Sequence, residues 1–365
     1  MTVGQTAAIE RYAANDLRAF VTGVLERLAV PSVDAALAAN ALHAADITGV
    51  DSHGVARFAG HPSYVPGLRR RLVNPRPGSR IVSEAPSTAL IDGDDGMGVV
   101  IASRAMDVAI RKAFETGVGL VTVTNSRHFG IAAHYARMAL PHGMIGIAMT
   151  NACPQVALPG SVGALLGTNP IAVAAPTGTG APFVLDMATS VGAAGKAEIA
   201  RRAGKTMPKG WLVDAEGRPT IDPEVLFGGL GGALMPLGSS DDTAAHKGYG
   251  LAMVVDILCG VLSGAGHSAA LDPEPWECGH FLGAIRVDAF RPLGGFVDGM
   301  AAMFRTFRTA KRADGIAPFK IHGEIEAATR ADREARGVPL HPAVVAELKT
   351  LVPEFSIPFP EPIHR

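Results

Sequence analysis

The stretch MTNACPQVALPGSVGALLGTNPIAVAAPTG, residues 149–178, runs on through FVLDMATSVGAAGK at 183–196 and decides the fold. It carries no charged residue before Asp186. Two apolar runs, 171–175 and 183–185, stand next to Gly, Pro or Thr, which predicts two buried strands. Polar side chains at the ends of these runs can face a ligand in a largely apolar cleft. A Gly-rich core crossing that only packs tightly is the alternative.

The composition indicates a compact protein that binds a small ligand. The 33 basic and 34 acidic residues leave a net charge of -1, so no field attracts nucleic acid or an anionic membrane. Three cysteines without paired spacing argue against a disulfide framework and against a zinc site. The N-terminal segment lacks the apolar core of a secretion signal, so we expect a cytoplasmic protein.

The tetrapeptide DSHG, residues 51–54, follows a helix that Gly49 is placed to end. A helical pattern from 55 to 64 places His53 near a helix N-terminus, with Ser52 as its natural cap. Arg57 lies four residues after His53, so a helix would turn both to one face. That face would offer a proton donor and a clamp for a carboxylate. A surface histidine and an exposed helix charge are the alternatives.

Two further polar groups lie where an element begins. His128, in SRHFG at 126–130, stands where a strand passes into a helix, and a structural cap is its alternative. Lys247, in HKGYG at 246–250, starts an apolar helix, an unfavourable place for a cation unless an anion such as a phosphate neutralises it. The segment 270–279 is polar and contains Pro, which predicts an exposed insertion.

Well-known motifs for other chemistries are absent from the sequence. The glycines at 93–98 and 228–232 lack the G-x-G-x-x-G spacing of a Rossmann dinucleotide site. The chain also has no Walker A loop, H-E-x-x-H zinc helix or G-x-S-x-G nucleophile elbow. A dinucleotide enzyme of this sequence would therefore need a fold other than the Rossmann fold.

Five motifs spread along the chain resemble one family. They are DSHG at 51–54, SRHFG at 126–130, GTNP with LDMATS and GK at 167–196, HKGYGLAM at 246–253 and HGE at 322–324. Together they resemble the malate/L-lactate dehydrogenase family, the NAD(P)-dependent 2-oxo-acid and ketimine reductases that do not use a Rossmann fold. The family usually shows Pro-Gly-Glu where this chain has His322-Gly323-Glu324.

The resemblance implies an α/β fold in two lobes. One lobe is a largely antiparallel, seven-stranded nucleotide-binding sheet, expected at residues 119–289. The other is a mainly helical substrate and dimerisation lobe, which both termini build, expected at 1–118 and 290–365.

The resemblance also assigns the site. The catalytic residues it implies are His53, Ser52, His128 and Lys196, with His53 as proton donor and His128 competing for that role. It places Arg57 and Thr168 on the substrate. The cofactor residues it implies are His128, Asn151, Asp186, Met187, Ala188, Lys247, Gly248, His322, Gly323 and Glu324, and it implies no metal.

The function that the resemblance implies is oxidoreduction. The expected reaction interconverts a small (S)-2-hydroxy acid and its 2-oxo acid with NAD or NADP in a homodimer. A cyclic ketimine reductase on the same scaffold is the alternative, although Lys196 matches the hydroxy-acid members, whereas the ketimine reductases carry Asp there. A binding protein that has lost turnover is a further alternative, which the joint presence of His53 and Arg57 disfavours.

Overall fold

The structure is a computed structural model that describes residues 9–178, 180–239 and 244–363. In chain order its strands are β1 (Glu10–Tyr12), β2 (Arg80–Ala85), β3 (Thr88–Gly96), β4 (Val118–Arg127), β5 (Met144–Thr150), β6 (Val156–Ala157), β7 (Ala164–Leu166), β8 (Ile171–Ala175), β9 (Phe183–Met187), β10 (Leu212–Val213), β11 (Pro219–Thr220), β12 (Ala233–Leu234), β13 (Glu277–Arg286) and β14 (Val338–Leu340).

The helices lie mostly before and after the central strands. They are α1 (Ala14–Arg27), α2 (Ser32–Thr48), α3 (Val65–Arg69), α4 (Gly98–Thr116), α5 (Ala132–Met138), α6 (Ala194–Arg202), α7 (Ala245–Val255), α8 (Leu293–Thr309), α9 (Glu324–Arg336), α10 (Pro342–Lys349) and α11 (Val352–Phe355). A π-helical turn, Asp256–Val261, continues α7. The fold is α/β, as predicted.

The largest sheet has seven strands in the order β2-β3-β4-β13-β5-β8-β9. It is mixed, because β3 and β4 run parallel while its other neighbours run antiparallel. The two apolar runs of the central stretch form β8 and β9, which pair with each other. Three of the five residues of β8 are buried, but in β9 Val184 alone is buried, so the prediction of a buried strand is wrong for most of β9. A smaller sheet, in the order β11-β10-β12-β6-β7, combines two strands from within this stretch with three that come after it, and α6 packs beside it.

The seven-stranded sheet is not confined to residues 119–289, because 80–96 supply β2 and β3. All six residues of β2 are exposed, so this edge strand lacks the buried apolar pattern that predicts a strand. Residues 290–365 were expected to belong to the helical lobe, but helix α8 contacts the sheet region. Its Leu293 and Val297 lie against Gly143 and Gly178, in loops of the sheet region. The division into two lobes stays a prediction.

The two ends of the chain share one core. β1 pairs with β14, and a single hydrophobic cluster combines residues 12–100 with residues 338–359. A second cluster fills the space between α4, α5 and the sheet. The turn that carries DSHG is therefore held between a helical core and the sheet.

The prediction of a helix from 55 to 64 is wrong. A 3₁₀ turn, Val55–Arg57, replaces it, and the next α-helix is α3. The buried Asp46 carboxylate accepts the Val55 N–H with both oxygens, at 3.1 Å each, and ties the turn down. A side chain on Gly54 would place its Cβ 1.8 Å from the Asp46 carboxylate, so only glycine fits there.

Candidate active site

A cavity of about 540 Å³ brings together five of the residues singled out from the sequence. They are His53, Arg57, His128, Asn151 and Thr168. They come from the turn after α2, the β4–α5 connection, the end of β5 and the β7–β8 connection. Polar groups from distant parts of the chain therefore meet in one concave site, as in a small-molecule pocket.

His53 is fixed by its neighbours in the turn. Its Nδ1 lies 2.9 Å from the Ser52 hydroxyl, and the Nε of Arg57 donates to the Ser52 carbonyl at 2.7 Å. Burial, and then the nearby Arg57 charge, lower the pKa of His53 to about 4. The predicted grouping of a histidine and an arginine is thus present, but a tight turn creates it and not a helix face.

His128 stacks beside His53, with ring centroids 5.5 Å apart. Its Nδ1 accepts the Gly130 N–H at 3.3 Å and lies 3.1 Å from the Tyr64 hydroxyl. Because a backbone N–H can only donate, a neutral His128 carries its proton on Nε2. Burial and the neighbouring histidines lower its pKa well below the usual value, so the ring is neutral in neutral solution.

Sequence reasoning missed His61, a third histidine on the cavity wall. Its ring lies 4.6 Å from that of His128 and 5.0 Å from the indole of Trp276. Burial lowers its pKa to about 3. The segment predicted as an exposed insertion supplies Trp276, whose φ of 73° is a strained conformation for a bulky residue. Neither position carries a sequence signal, because the contact depends on tertiary packing.

Asn151 lines the cavity, but its side chain is already fully used. Its amide donates to the Asp256 carboxylate at 3.1 Å and to the Gly266 carbonyl at 2.9 Å, and its oxygen accepts the Gly279 N–H at 2.8 Å. Its backbone is bound as well, because its N–H donates to the Gly279 carbonyl at 3.2 Å and its carbonyl accepts from the Thr150 hydroxyl at 3.0 Å. By contrast, the Thr168 hydroxyl has no hydrogen-bond partner among the described residues, although the Thr168 carbonyl accepts the Thr189 N–H.

A second group of predicted residues forms a track outside the cavity lining. The Val184 N–H donates to the His322 carbonyl at 3.1 Å, which places the 322–324 turn beside β9. Leu237 connects the next two parts of the track. Its N–H donates to the carbonyl of Thr189, just after Ala188, at 2.8 Å, and Gly248 packs directly on its backbone. We call this surface, made of Asp186, Met187, Ala188, Lys247, Gly248, His322, Gly323 and Glu324, the strand-end track.

Within the track, Asp186 and Lys247 are both exposed. One Asp186 carboxylate oxygen accepts the Ala133 N–H at 2.8 Å. The protein packed around Asp186 raises its pKa to about 6, although part of the side chain stays in contact with solvent. Lys247 lies in the first turn of α7 and makes no ion pair within the described part of the chain.

Lys196 lies in the first turn of α6, but it does not line the cavity. Its side chain is exposed, and its Nζ lies 5.6 Å from the centre of the Trp211 ring. The same helix sends Glu198 and Arg202 to the cavity rim instead. The catalytic role expected of Lys196 stays a prediction.

The described residues lack two features, a metal-binding cluster and a membrane-spanning helix. Residues 9–178, 180–239 and 244–363 contain no group of three or more His, Cys, Asp or Glu side chains placed to hold a metal ion. In the same ranges, no helix combines the length and the apolar character needed to cross a membrane.

Comparison with known proteins gives a consistent result. The family model for malate/L-lactate dehydrogenase matches residues 12–349. The malate dehydrogenase of Pyrococcus abyssi is 43% identical over 345 residues, which cover 93% of this chain and 94% of that protein. The L-sulfolactate dehydrogenase of Methanocaldococcus jannaschii is 36% identical, with coverage of 92% and 95%. The solved malate dehydrogenase of Entamoeba histolytica has a TM-score of 0.93 at 33% identity, with coverage of 97% and 100%.

Proposed function

Because the chain belongs to the malate/L-lactate dehydrogenase family, and is a 2-hydroxy-acid oxidoreductase, we propose that it interconverts a small (S)-2-hydroxy acid and its 2-oxo acid with NAD or NADP. The observation that carries this proposal is the pairing of His53 and Arg57 in one cavity. The pair offers a group that moves a proton beside a group that holds a carboxylate.

His53 moves the proton in this proposal. A pKa of about 4 leaves its imidazole neutral in neutral solution, which is the form that accepts the proton of a 2-hydroxyl group. In the reverse direction His53 must be protonated before it can donate. A substrate carboxylate on Arg57 would offset the charge that helps to lower the pKa of His53, and so would favour that protonation. The Ser52 hydroxyl orients the ring through Nδ1.

Arg57 and Thr168 hold the substrate. The Nε of Arg57 is bound to the Ser52 carbonyl, so its two terminal nitrogens remain to grip the C1 carboxylate. The free hydroxyl of Thr168 can donate to a substrate oxygen. His128, with its Nε2 proton, stands beside His53 as a positioning residue.

The strand-end track fits a nicotinamide cofactor. An exposed Lys in a helix first turn suits a phosphate, and the free oxygen of a strand-end Asp suits ribose hydroxyls. Gly323 has a φ of 98°, and a Cβ there would come within 2.7 Å of the Pro182 carbonyl, so glycine lets this turn pack against the start of β9. When bound, the reduced cofactor would supply the hydride that C2 gains, and the oxidised cofactor would accept the hydride that C2 loses.

The proposal includes a homodimer. Large apolar side chains of α7 and the π turn are exposed in the single chain: Met253, Val254, Ile257, Val261 and Leu262. An apolar surface of this kind marks a protein contact, and closed twofold dimers are the commonest assembly. Sedimentation at micromolar concentration tests this, and a species with the mass of one chain would contradict it.

The test of the reaction is consumption of reduced cofactor. The protein is mixed with NADH or NADPH and with either a 2-oxo acid or a cyclic ketimine carboxylate. We expect the 2-oxo acid to oxidise the cofactor. Oxidation by the cyclic imine alone would show the ketimine reductase instead, and cofactor binding without oxidation by either substrate would show a protein that has lost turnover.

A further inference from the structure

The rim of the cavity carries an ion cluster on α6 in which one glutamate serves two arginines. Arg201 grips Glu198 with two hydrogen bonds, of 2.9 and 3.0 Å, and the Nε of Arg202 donates to the same carboxylate at 2.7 Å. Two guanidinium groups share one carboxylate, so this trio keeps a surplus positive charge.

The two arginines differ in what they face. Arg201 lies over the ring of Phe227, 4.8 Å from its centre, and approaches Glu224. Arg202 lines the cavity, and its two terminal nitrogens have no hydrogen-bond partner among the residues that the structure describes. Glu224 balances the surplus charge of the trio, so what remains available on the cavity side is the pair of free terminal nitrogens of Arg202.

Arg57 and Arg202 are the two arginines that line the cavity, and both keep free terminal nitrogens. Glu198 and Glu347 also line it, but Glu198 is held by the arginine pair. Arg202 is close enough to Arg57 to contribute, after burial, to lowering the pKa of Arg57. Glu347 acts in the opposite direction on the pKa of Arg57 and partly offsets the positive charge there. A ligand with one anionic group could bind only one of the two pairs of free terminal nitrogens.

We propose that Arg202 is a specificity-determining residue that binds a second anionic group, a carboxylate or a sulfonate, attached to C3 of the substrate. The enzyme then prefers dianionic 2-oxo acids to those with an uncharged side chain. This inference rests on the proposed function, because it takes Arg57 as the partner of the C1 carboxylate.

The arrangement suits this role in two ways. The bond from Arg202 Nε to Glu198 fixes the plane of the guanidinium, so its two free nitrogens can meet two oxygens of an anion in parallel. The Arg202 side chain is 42% exposed, so solvent weakens the interaction and salt should screen it. We therefore expect preference for the dianion to decrease at high ionic strength.

The experiment measures kcat/KM for oxaloacetate, 3-sulfopyruvate and 2-oxobutyrate with the wild-type enzyme, Arg202→Gln and Arg201→Gln. Arg201→Gln is the matched control, because Arg201 binds the same glutamate outside the cavity lining. We expect Arg202→Gln to lower the ratio of dianion to 2-oxobutyrate activity by about 10- to 100-fold, the range for a hydrogen bond to a charged group. We expect Arg201→Gln to leave the ratio within about threefold of wild type.

The outcomes separate this inference from the proposed function. If the wild-type enzyme reduces none of the three acids, the proposed function itself fails. If it reduces them, but Arg202→Gln leaves the ratio unchanged or Arg201→Gln lowers it equally, the role of Arg202 is wrong and the proposed function stands. A decrease for one dianion alone supports the site and assigns it to a carboxylate or to a sulfonate. Thermal melting of both variants verifies that they are folded.

Discussion

The histidines of the cavity and Lys247 of the strand-end track differ in how their polar groups are held. In the cavity, Ser52, Gly130 and Tyr64 hold the histidine rings by hydrogen bonds, and burial keeps those rings neutral. In the track, Lys247 is exposed without an ion pair in the described residues. Groups fixed before a ligand arrives suit proton transfer, whereas an unpaired charge suits binding. We therefore expect the chemistry in the cavity and the cofactor affinity on the track.

The largest effect should come from the histidine that moves the proton. Loss of a general acid or base costs about 100-fold or more in kcat, so we expect that decrease in His53→Ala with unchanged cofactor affinity. His128→Ala is the matched comparison, because its ring stacks on that of His53. Steady-state kinetics and cofactor titration distinguish the two. Near wild-type turnover in His53→Ala, with loss in His128→Ala, would reverse the roles.

Lys247→Ala tests whether the strand-end track binds the cofactor. Removing one hydrogen bond to a charged phosphate should raise the Kd for the cofactor by about 10- to 150-fold, while kcat at saturating cofactor is retained. His246→Ala is the control, since His246 is exposed one residue earlier in α7. Fluorescence titration with NADH and NADPH provides the measurement. Wild-type affinity in Lys247→Ala would remove this residue from the cofactor site.

The smallest expected effect is a decrease in cofactor affinity at acidic pH. The pKa of Asp186 is raised to about 6, so its carboxylate is ionised above that pH and protonated below it. A protonated Asp186 loses part of its strength as an acceptor for ribose hydroxyls. We expect the affinity for oxidised cofactor, measured by calorimetry, to decrease by about 3- to 10-fold from pH 7 to pH 5. Asp186→Asn should abolish this dependence, and an equally steep dependence in that variant would contradict the assignment.

The sequence predicted the parts of the fold that periodicity and end signals define. Gly49 ends α2 with a φ of 86°, as predicted, and the two apolar runs form β8 and β9. Prediction from the sequence was wrong where tertiary contacts determine the backbone conformation. The turn after His53 is tight because a carboxylate from α2 captures its backbone, and no local pattern from 55 to 64 reveals that contact.

The same limit applies to the site. His53, Arg57 and His128 were found because a resemblance singled them out, and the structure brings them together. His61 and Arg202 belong to no recognised motif, and their cavity positions follow from how the turn and α6 pack. Conversely, the resemblance implies Asn151 as a cofactor residue, but its side chain is already hydrogen-bonded to Asp256 and Gly279. Sequence position predicts which groups are available, and packing decides which remain free.

Hydride transfer to C2 is the central claim, and isotope transfer tests it most directly. Oxaloacetate is reduced by the wild-type enzyme with cofactor that carries deuterium at C4 of the nicotinamide ring, in separate samples for the two faces of the ring. The proposed function predicts that the hydroxy acid gains one deuterium at C2 from one of the two samples, detected by mass spectrometry. Product that forms without deuterium from either sample would contradict it.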